Sequence, residues 1–169
     1  MTFTDFFFVK LGPLLHVINI FCMVIAFFVH LLHKPLATSE RGSVLMTLGL
    51  TSISYGLSFT TFDWHTSFLL NPYVLFIIYD IELLLLLWLL HVALRQKFSI
   101  SFFYLFVFSV IDMLLHVSMY VDLVIFEHNE LWWFWYIPAI LGKFTALCLV
   151  IGLCSNRDFL KLKNILRVK

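Results

Sequence analysis

Long apolar stretches alternate with short polar segments along almost the whole chain. Five of these stretches reach about the 20 residues that a helix needs to cross the roughly 30 Å hydrocarbon layer of a bilayer. They cover residues 11–33, 44–62, 72–94, 100–124 and 131–154, and the second is the richest in Ser and Thr. Because a bilayer offers backbone groups no water, each stretch is predicted to be an α-helix. The pattern predicts an all-α polytopic transmembrane helix bundle of about five spans, with four spans as the alternative.

The composition excludes a water-soluble fold. Of the 169 residues, 62% are hydrophobic and 12% are charged, whereas a soluble domain has about 45–50% apolar and about 25% charged residues. Too little polar sequence is left for a soluble catalytic domain, and the sequence contains no phosphate-binding Gly-rich loop and no hydrolase motif. A non-enzymatic protein is therefore expected, with residues 1–154 as the bundle and residues 155–169 as a basic amphipathic tail.

Basic residues gather on one side of the predicted membrane. With five spans, nine Lys and Arg residues fall in the connections and tail of one side, and only Lys10 falls on the other. The positive-inside rule then places the C-terminus in the cytoplasm and the N-terminus outside. A four-span arrangement without residues 44–62 would divide the basic connections between the two sides.

Ionisable residues occur within the apolar stretches, where a charge is costly. Glu82, Asp112 and Lys143 fall near the middle of their predicted helices, Asp80 precedes Glu82 closely, and His116 follows Asp112 by one helical turn. A charge at the bilayer centre costs at least about 2.5–3.5 kcal/mol, so these side chains should face the bundle interior and pair. Lys143 is predicted to lie within ion-pair reach of Asp112 or Glu82. Such a network either fixes the order of the helices or provides an ion or proton path, and both interpretations stay open.

The sequence contains little evidence for a cofactor or metal site. His16 and His30 lie about 21 Å apart along one predicted helix, and His91 matches the depth of His30, as axial ligands of a b-type haem would. A haem-binding redox subunit is therefore a third alternative. The three cysteines have no metal-ligand spacing, and neither a metal nor a cofactor is expected.

The tail combines an apolar stripe with positive charge. It can lie on anionic lipid or dock a cytoplasmic partner, and the two roles are compatible. The basic residues assigned to this contact are Arg157, Lys161, Lys163, Arg167 and Lys169.

The small size, high hydropathy, minimal connections and basic inner face resemble the membrane component of the Kiwa anti-phage defence system. This resemblance implies a homo-oligomer in the bacterial inner membrane that responds to phage attack and works with a cytoplasmic, DNA-binding protein. It brings no catalytic residues and no direct nucleic-acid contact for this chain. The first expectation is thus a membrane subunit that senses membrane perturbation and recruits or regulates a cytoplasmic partner. A small ion- or proton-conducting protein that uses the buried acids and Lys143 is the main alternative.

Overall fold

The part of the chain that the structure describes forms a bundle of five long helices. The computed structural model describes residues 11–32, 38–68, 71–128 and 133–162, with side chains except at residues 12, 38–39 and 59–68. The helices are α1 (Leu11–Leu32), α2 (Thr38–Phe68), α3 (Pro72–Ala93), α4 (Ile100–Tyr120) and α5 (Tyr136–Ser155). A π-helical turn, Val121–Ile125, extends α4, and a 3-10 turn, Trp133–Trp135, precedes α5. All regular structure within the described ranges is helical, which confirms the predicted all-α fold.

Four of the helices are long and apolar enough to cross a membrane. They are Pro13–Leu32, Pro72–Ala93, Ile100–Ile125 and Trp133–Ser155. Large apolar side chains cover their outer surface, with exposed fractions of 77% for Leu32, 66% for Phe21 and 64% for Leu114. Such a surface is unfavourable in water and favourable in lipid. These features suggest an integral membrane protein.

The remaining helix, α2, is less apolar than the other four, and one of its faces is buried in the bundle. It packs against each of the other four helices. Ser43, Thr47 and Thr51 are fully buried on its inward face, whereas Ile53 and Leu57 are more than half exposed on the outward face. The Ser and Thr content that weakens its hydropathy thus belongs to helix–helix contacts, where small side chains permit close approach.

Capping residues set the starting points of α3 and α4. The Asn71 side-chain oxygen accepts a hydrogen bond from the Tyr73 N–H at 3.0 Å, just before the proline that opens α3. Ser99 caps α4 by accepting from the Phe102 N–H at 3.3 Å. These signals fix where each helix begins and, with it, the depth of the acidic residues further along.

The two ends of the bundle differ in charge and packing. We call the end where α1, α3 and α5 finish and α2 and α4 begin the basic end, because Arg41, Arg95, Lys97 and Arg157 lie there. The half of the bundle next to it is filled by an apolar cluster. Its fully buried members include Met23, Val44, Leu48, Leu87, Leu105 and Leu153.

The chain folds back onto the basic end after α5. Asn156 adopts a left-handed conformation (φ 47°), and its side-chain oxygen accepts hydrogen bonds from the Ser101 N–H and hydroxyl. Further on, the Tyr104 hydroxyl accepts from the Leu160 N–H at 2.6 Å. Of the basic tail residues, Arg157 and Lys161 are exposed here. Lys163, Arg167 and Lys169 lie outside the described residues.

Candidate functional site

A polar cavity of about 330 Å³ lies between the helices, on the side of the apolar cluster that faces away from the basic end. All five helices contribute to its lining. Its polar side chains include His16, Ser58, Asp80, Asp112, His116 and Lys143. The apolar cluster closes the cavity towards the basic end.

A second cavity of about 360 Å³ adjoins the first one. Asp112 and His116 line both, and Tyr73 and Trp135 line only the second. Because Tyr73 opens α3 and Trp135 precedes α5, this cavity extends towards the end opposite the basic end. The two cavities share Asp112, His116 and Gly142, and we call them together the polar recess, which lies between the middle of the bundle and the end opposite the basic end.

The connection beside this recess is held by a buried acid. Asp122, which is 5% exposed, accepts hydrogen bonds from the Trp135 indole N–H at 2.7 Å and from His128 Nδ1 at 2.9 Å. These contacts tie the π-helical turn after α4 to the start of α5. The sequence analysis did not identify Asp122 as a site residue. Its partners lie in or beyond a connection between helices, where no helical period indicates which residues meet.

Three ionisable side chains converge at the bottom of the recess. Ligand atoms of Asp80, Asp112 and His116 all lie within 4.8 Å of one another. Asp112 and His116 are one turn apart on α4, with 3.9 Å between Oδ2 and Nδ1. The packing of α3 against α4 adds Asp80 to this pair. The sequence placed all three at membrane depth, and the structure brings them to one point.

The orientation of His116 is fixed by its own helix. Its Nδ1 lies 2.9 Å from the backbone oxygen of Asp112, and a carbonyl oxygen can only accept, so Nδ1 carries the donated hydrogen. The ring also packs against Phe76, with 4.9 Å between the ring centroids. In the neutral imidazole, Nε2 is therefore the nitrogen with a lone pair to offer.

Asp80 and Ser109 are the least satisfied polar groups of the site. Asp80 is 8% exposed, and the Ser109 hydroxyl lies next to its carboxyl group without a well-aligned hydrogen bond between them. Ser109 is 1% exposed, and its hydroxyl has no other partner in the described part of the chain. Native proteins rarely leave buried polar groups in this state without a role for them.

The polar cluster near the basic end shows the opposite pattern. His91 Nδ1 donates to the Leu87 backbone oxygen, and Nε2 accepts from the Ser43 hydroxyl, both at 2.7 Å. The Ser43 oxygen in turn accepts from the Ser99 N–H at 3.0 Å. Every member has its partners, as expected of a structural network.

The same contacts bear on the haem hypothesis. Both ring nitrogens of His91 are engaged with the protein, so neither offers a lone pair to an iron. His30 Nε2 lies 3.0 Å from the Cys154 backbone oxygen, and His16 Nε2 lies 3.2 Å from that of Tyr55. These contacts exclude His91 as an axial ligand, whereas His30 and His16 each use one nitrogen in a contact with a backbone oxygen.

Glu82 lies apart from the site. Its side chain is exposed on α3 and does not line either cavity. Residues two positions apart on an α-helix point about 200° away from each other, so Asp80 and Glu82 cannot face the same way. Membrane depth was readable from the sequence, but the helix face turned towards the neighbours was not.

The described structure shows no ion pair of Lys143 with Asp112 or Glu82 inside the chain, and a pair at a contact between subunits stays a prediction. Asp112 Oδ2 lies 3.9 Å from His116 Nδ1 instead. Lys143 Nζ donates to the Ala139 backbone oxygen at 3.1 Å, one turn earlier on α5. Helical side chains lean towards the N-terminus of their helix, which carries the ammonium back along α5 rather than across to α4. Lys143 nevertheless lines the same cavity as the acids.

Comparison with known proteins gives no further guide to this site. No protein family, curated protein or solved structure matches the chain. The functional interpretation of the recess therefore rests on the chemistry of its side chains. Carboxylates and imidazole exchange protons and bind cations, and such groups within membrane helices mark ion pathways and proton relays.

Proposed function

We propose that this chain is a small integral membrane protein that takes up protons or cations through its polar recess. The observation that supports this most is the convergence of Asp80, Asp112 and His116 within 4.8 Å in a cavity lined by all five helices. The hydrogen bonds of the His91 network are made within the protein. The Ser109 hydroxyl has no partner among the described residues and lines the cavity next to two acids, which favours a site that engages something from outside the chain.

The closed half of the bundle favours a carrier or sensor over an open channel. The apolar cluster seals the recess on the side of the basic end. An ion that reaches the acids from the opposite end therefore needs a rearrangement of the helices to continue. Its binding would shift the balance between two arrangements, as in other ligand-driven transitions.

The proposal includes five spans with the basic end in the cytoplasm. The enclosed position of α2 supports its crossing with the other helices, and the basic connections support the orientation. Single cysteines at Gln96 and Asn164 should be labelled by a membrane-impermeant reagent only after the cells are opened, and cysteines at Thr66 and Asn129 in intact cells. The native cysteines would be replaced beforehand. Labelling of Gln96 and Asn164 from opposite sides would contradict five spans.

Proton uptake can be measured in vesicles that contain the purified protein and a trapped pH-sensitive dye. With EDTA present and a potassium diffusion potential imposed, native protein should acidify the lumen faster than protein-free vesicles. Asp112→Asn should lower this rate to the protein-free level, because the amide cannot carry the proton.

Glu82→Gln provides the matched control for the flux experiment. It also removes a carboxylate at membrane depth from α3, but one that lies outside the recess, and it should leave the flux unchanged. Equal rates for native protein and protein-free vesicles would refute uptake of protons. Equal rates for native protein and folded Asp112→Asn would remove the cluster from the path.

A second candidate function is the recruitment of a cytoplasmic protein, as the resemblance to the Kiwa membrane component implies. The docking of residues 156–162 on the basic end favours it. These hydrogen bonds hold residues 156–162 in place on the basic end. A preordered segment loses less entropy when a partner binds to it. Anti-phage defence and a homo-oligomeric state belong to this candidate.

A further inference from the structure

We propose that Asp80, Asp112 and His116 form a binding site for one divalent transition-metal cation, with Zn²⁺ as the cation that their chemistry fits best. The proposal concerns the same recess as the proposed function but does not depend on transport. A metal can be bound here whether or not protons move.

The spacing of the three side chains is close to that of a metal site. Their ligand atoms lie within 4.8 Å of one another. Tetrahedral Zn²⁺ holds its oxygen and nitrogen ligands at about 2.0–2.2 Å, which places neighbouring ligand atoms about 3.3 Å apart. We expect rotations of the two carboxyl groups to close this difference when the metal binds, because both groups line a cavity.

The ligand types select the class of cation. Two carboxylates balance the charge of a divalent ion, and one imidazole favours Zn²⁺ and similar transition metals over Mg²⁺ or Ca²⁺. A site with three protein ligands also leaves a coordination position open to water, as zinc sites that are not purely structural do.

The hydrogen bond of His116 prepares this residue for a metal. Histidine ligands almost always donate their other ring N–H to a carbonyl or carboxylate oxygen, which fixes the tautomer and the ring orientation. His116 makes this contact from Nδ1 to the Asp112 backbone oxygen, which leaves the lone pair on Nε2. Because the nitrogen that lies 3.9 Å from Asp112 Oδ2 is Nδ1, the carboxyl groups must turn towards Nε2 when the metal binds. The same residue thus supplies a ligand and is held in place by the backbone of a second ligand.

Ser109 gives an independent indication that something binds beside Asp80. Its hydroxyl is buried, lines the cavity and has no hydrogen-bond partner among the described residues. A hydroxyl left in this state is unfavourable for the protein alone. Next to a bound cation, it can donate to a water ligand of the metal.

Lys143 is expected to weaken metal binding, so its removal should change the affinity in the opposite direction to removal of a ligand. Its ammonium lines the same cavity and repels a cation, and its bond to the Ala139 oxygen holds it on α5. Removal of this charge in Lys143→Met should therefore lower the Kd for the metal. Removal of an acid should raise it.

The test is calorimetric titration of Zn²⁺ into the full-length protein in mild detergent after EDTA treatment. We expect one ion per chain. Loss of a partner that only orients a ligand typically costs about 10–100-fold in metal affinity, so Asp112→Asn and His116→Gln, which remove ligands, should each weaken binding by at least about 100-fold. Glu82→Gln should bind as the native protein does. Absorption bands of bound Co²⁺ should show nitrogen coordination that disappears in His116→Gln.

Ser109→Ala separates a ligand-binding role from a structural one. The change removes a hydroxyl without a partner, so thermal stability without metal should be unchanged or higher. Zn²⁺ affinity should nevertheless fall, by about 10-fold if the hydroxyl orients a ligand. Lower stability with unchanged affinity would contradict the role assigned to Ser109.

The proposal is overturned if the native protein binds no Zn²⁺, or if folded Asp112→Asn and His116→Gln bind it as the native protein does. These two variants carry the test should Asp80→Asn fail to fold, because their side chains are partly exposed, by 35% for Asp112 and 20% for His116. Binding without proton flux would leave this inference standing and refute proton uptake as the proposed function. Flux in EDTA without metal binding would do the reverse.

Discussion

We expect Gly152→Ala to abolish the accumulation of folded protein. A Cβ atom at this position on α5 would approach three ring atoms of Tyr104 on α4 to less than 3.0 Å. The ring cannot move aside, because Tyr104 is fully buried and its hydroxyl accepts a hydrogen bond from the Leu160 N–H. Excess volume in a packed core costs about 1–3 kcal/mol where neighbours can adjust, and more where they cannot. Monodispersity and thermal unfolding in mild detergent would measure the loss.

Two comparisons identify the clash as the cause. Gly56→Ala is the matched control, since a Cβ there meets nothing within 4 Å, and it should unfold at the native temperature or slightly above. Tyr104→Leu combined with Gly152→Ala should restore some folded protein because the double variant removes the ring. Native-like unfolding of Gly152→Ala would show that α4 and α5 do not approach as closely as described.

The positions of the helices could be predicted from the sequence with little error. Residues 11–33 and 72–94 were expected, and Leu11–Leu32 and Pro72–Ala93 are observed. Both limits follow from one-dimensional signals, namely the length of an apolar run and the Asn–Pro pair before α3. The exception is Thr38–Phe68, which extends well beyond the expected 44–62 because its polar ends carry no hydropathy signal.

The site was only half predictable, for a geometric reason. Distance along a helix gives depth, so Asp80, Asp112 and Lys143 were recognised as buried in the membrane. Which of them meet depends on how far each helix is rotated about its axis, and two apolar faces of similar composition leave that rotation undetermined. This explains why Glu82 was grouped with Asp80 although the structure separates them. It also explains why Ser109, which differs from other helical serines only by its neighbours, was missed.

We expect Gly142→Leu to block the recess while the bundle stays folded. Gly142 lines both cavities, and a Cβ on it would stand at an ordinary contact distance of 4.0 Å from Asp112 Oδ1. The rest of the leucine side chain would then occupy space in front of the carboxyl group and displace water from it. Loss of hydration without a new hydrogen bond costs about 1–3 kcal/mol in proteins, which corresponds to a decrease of about 5- to 150-fold in flux or Zn²⁺ affinity.

The series Gly142→Ala, Gly142→Leu and Gly56→Leu separates blockage from general damage. The methyl group of alanine reaches only the contact distance, so Gly142→Ala should keep most of the proton flux and the metal affinity. Gly56→Leu adds the same bulk where a Cβ meets nothing within 4 Å, and it should resemble the native protein in both measurements. Native flux in folded Gly142→Leu would mean that ions do not reach Asp112 through the recess. A similar loss in Gly56→Leu would instead trace the effect to added bulk on any helix, because that residue does not line either cavity.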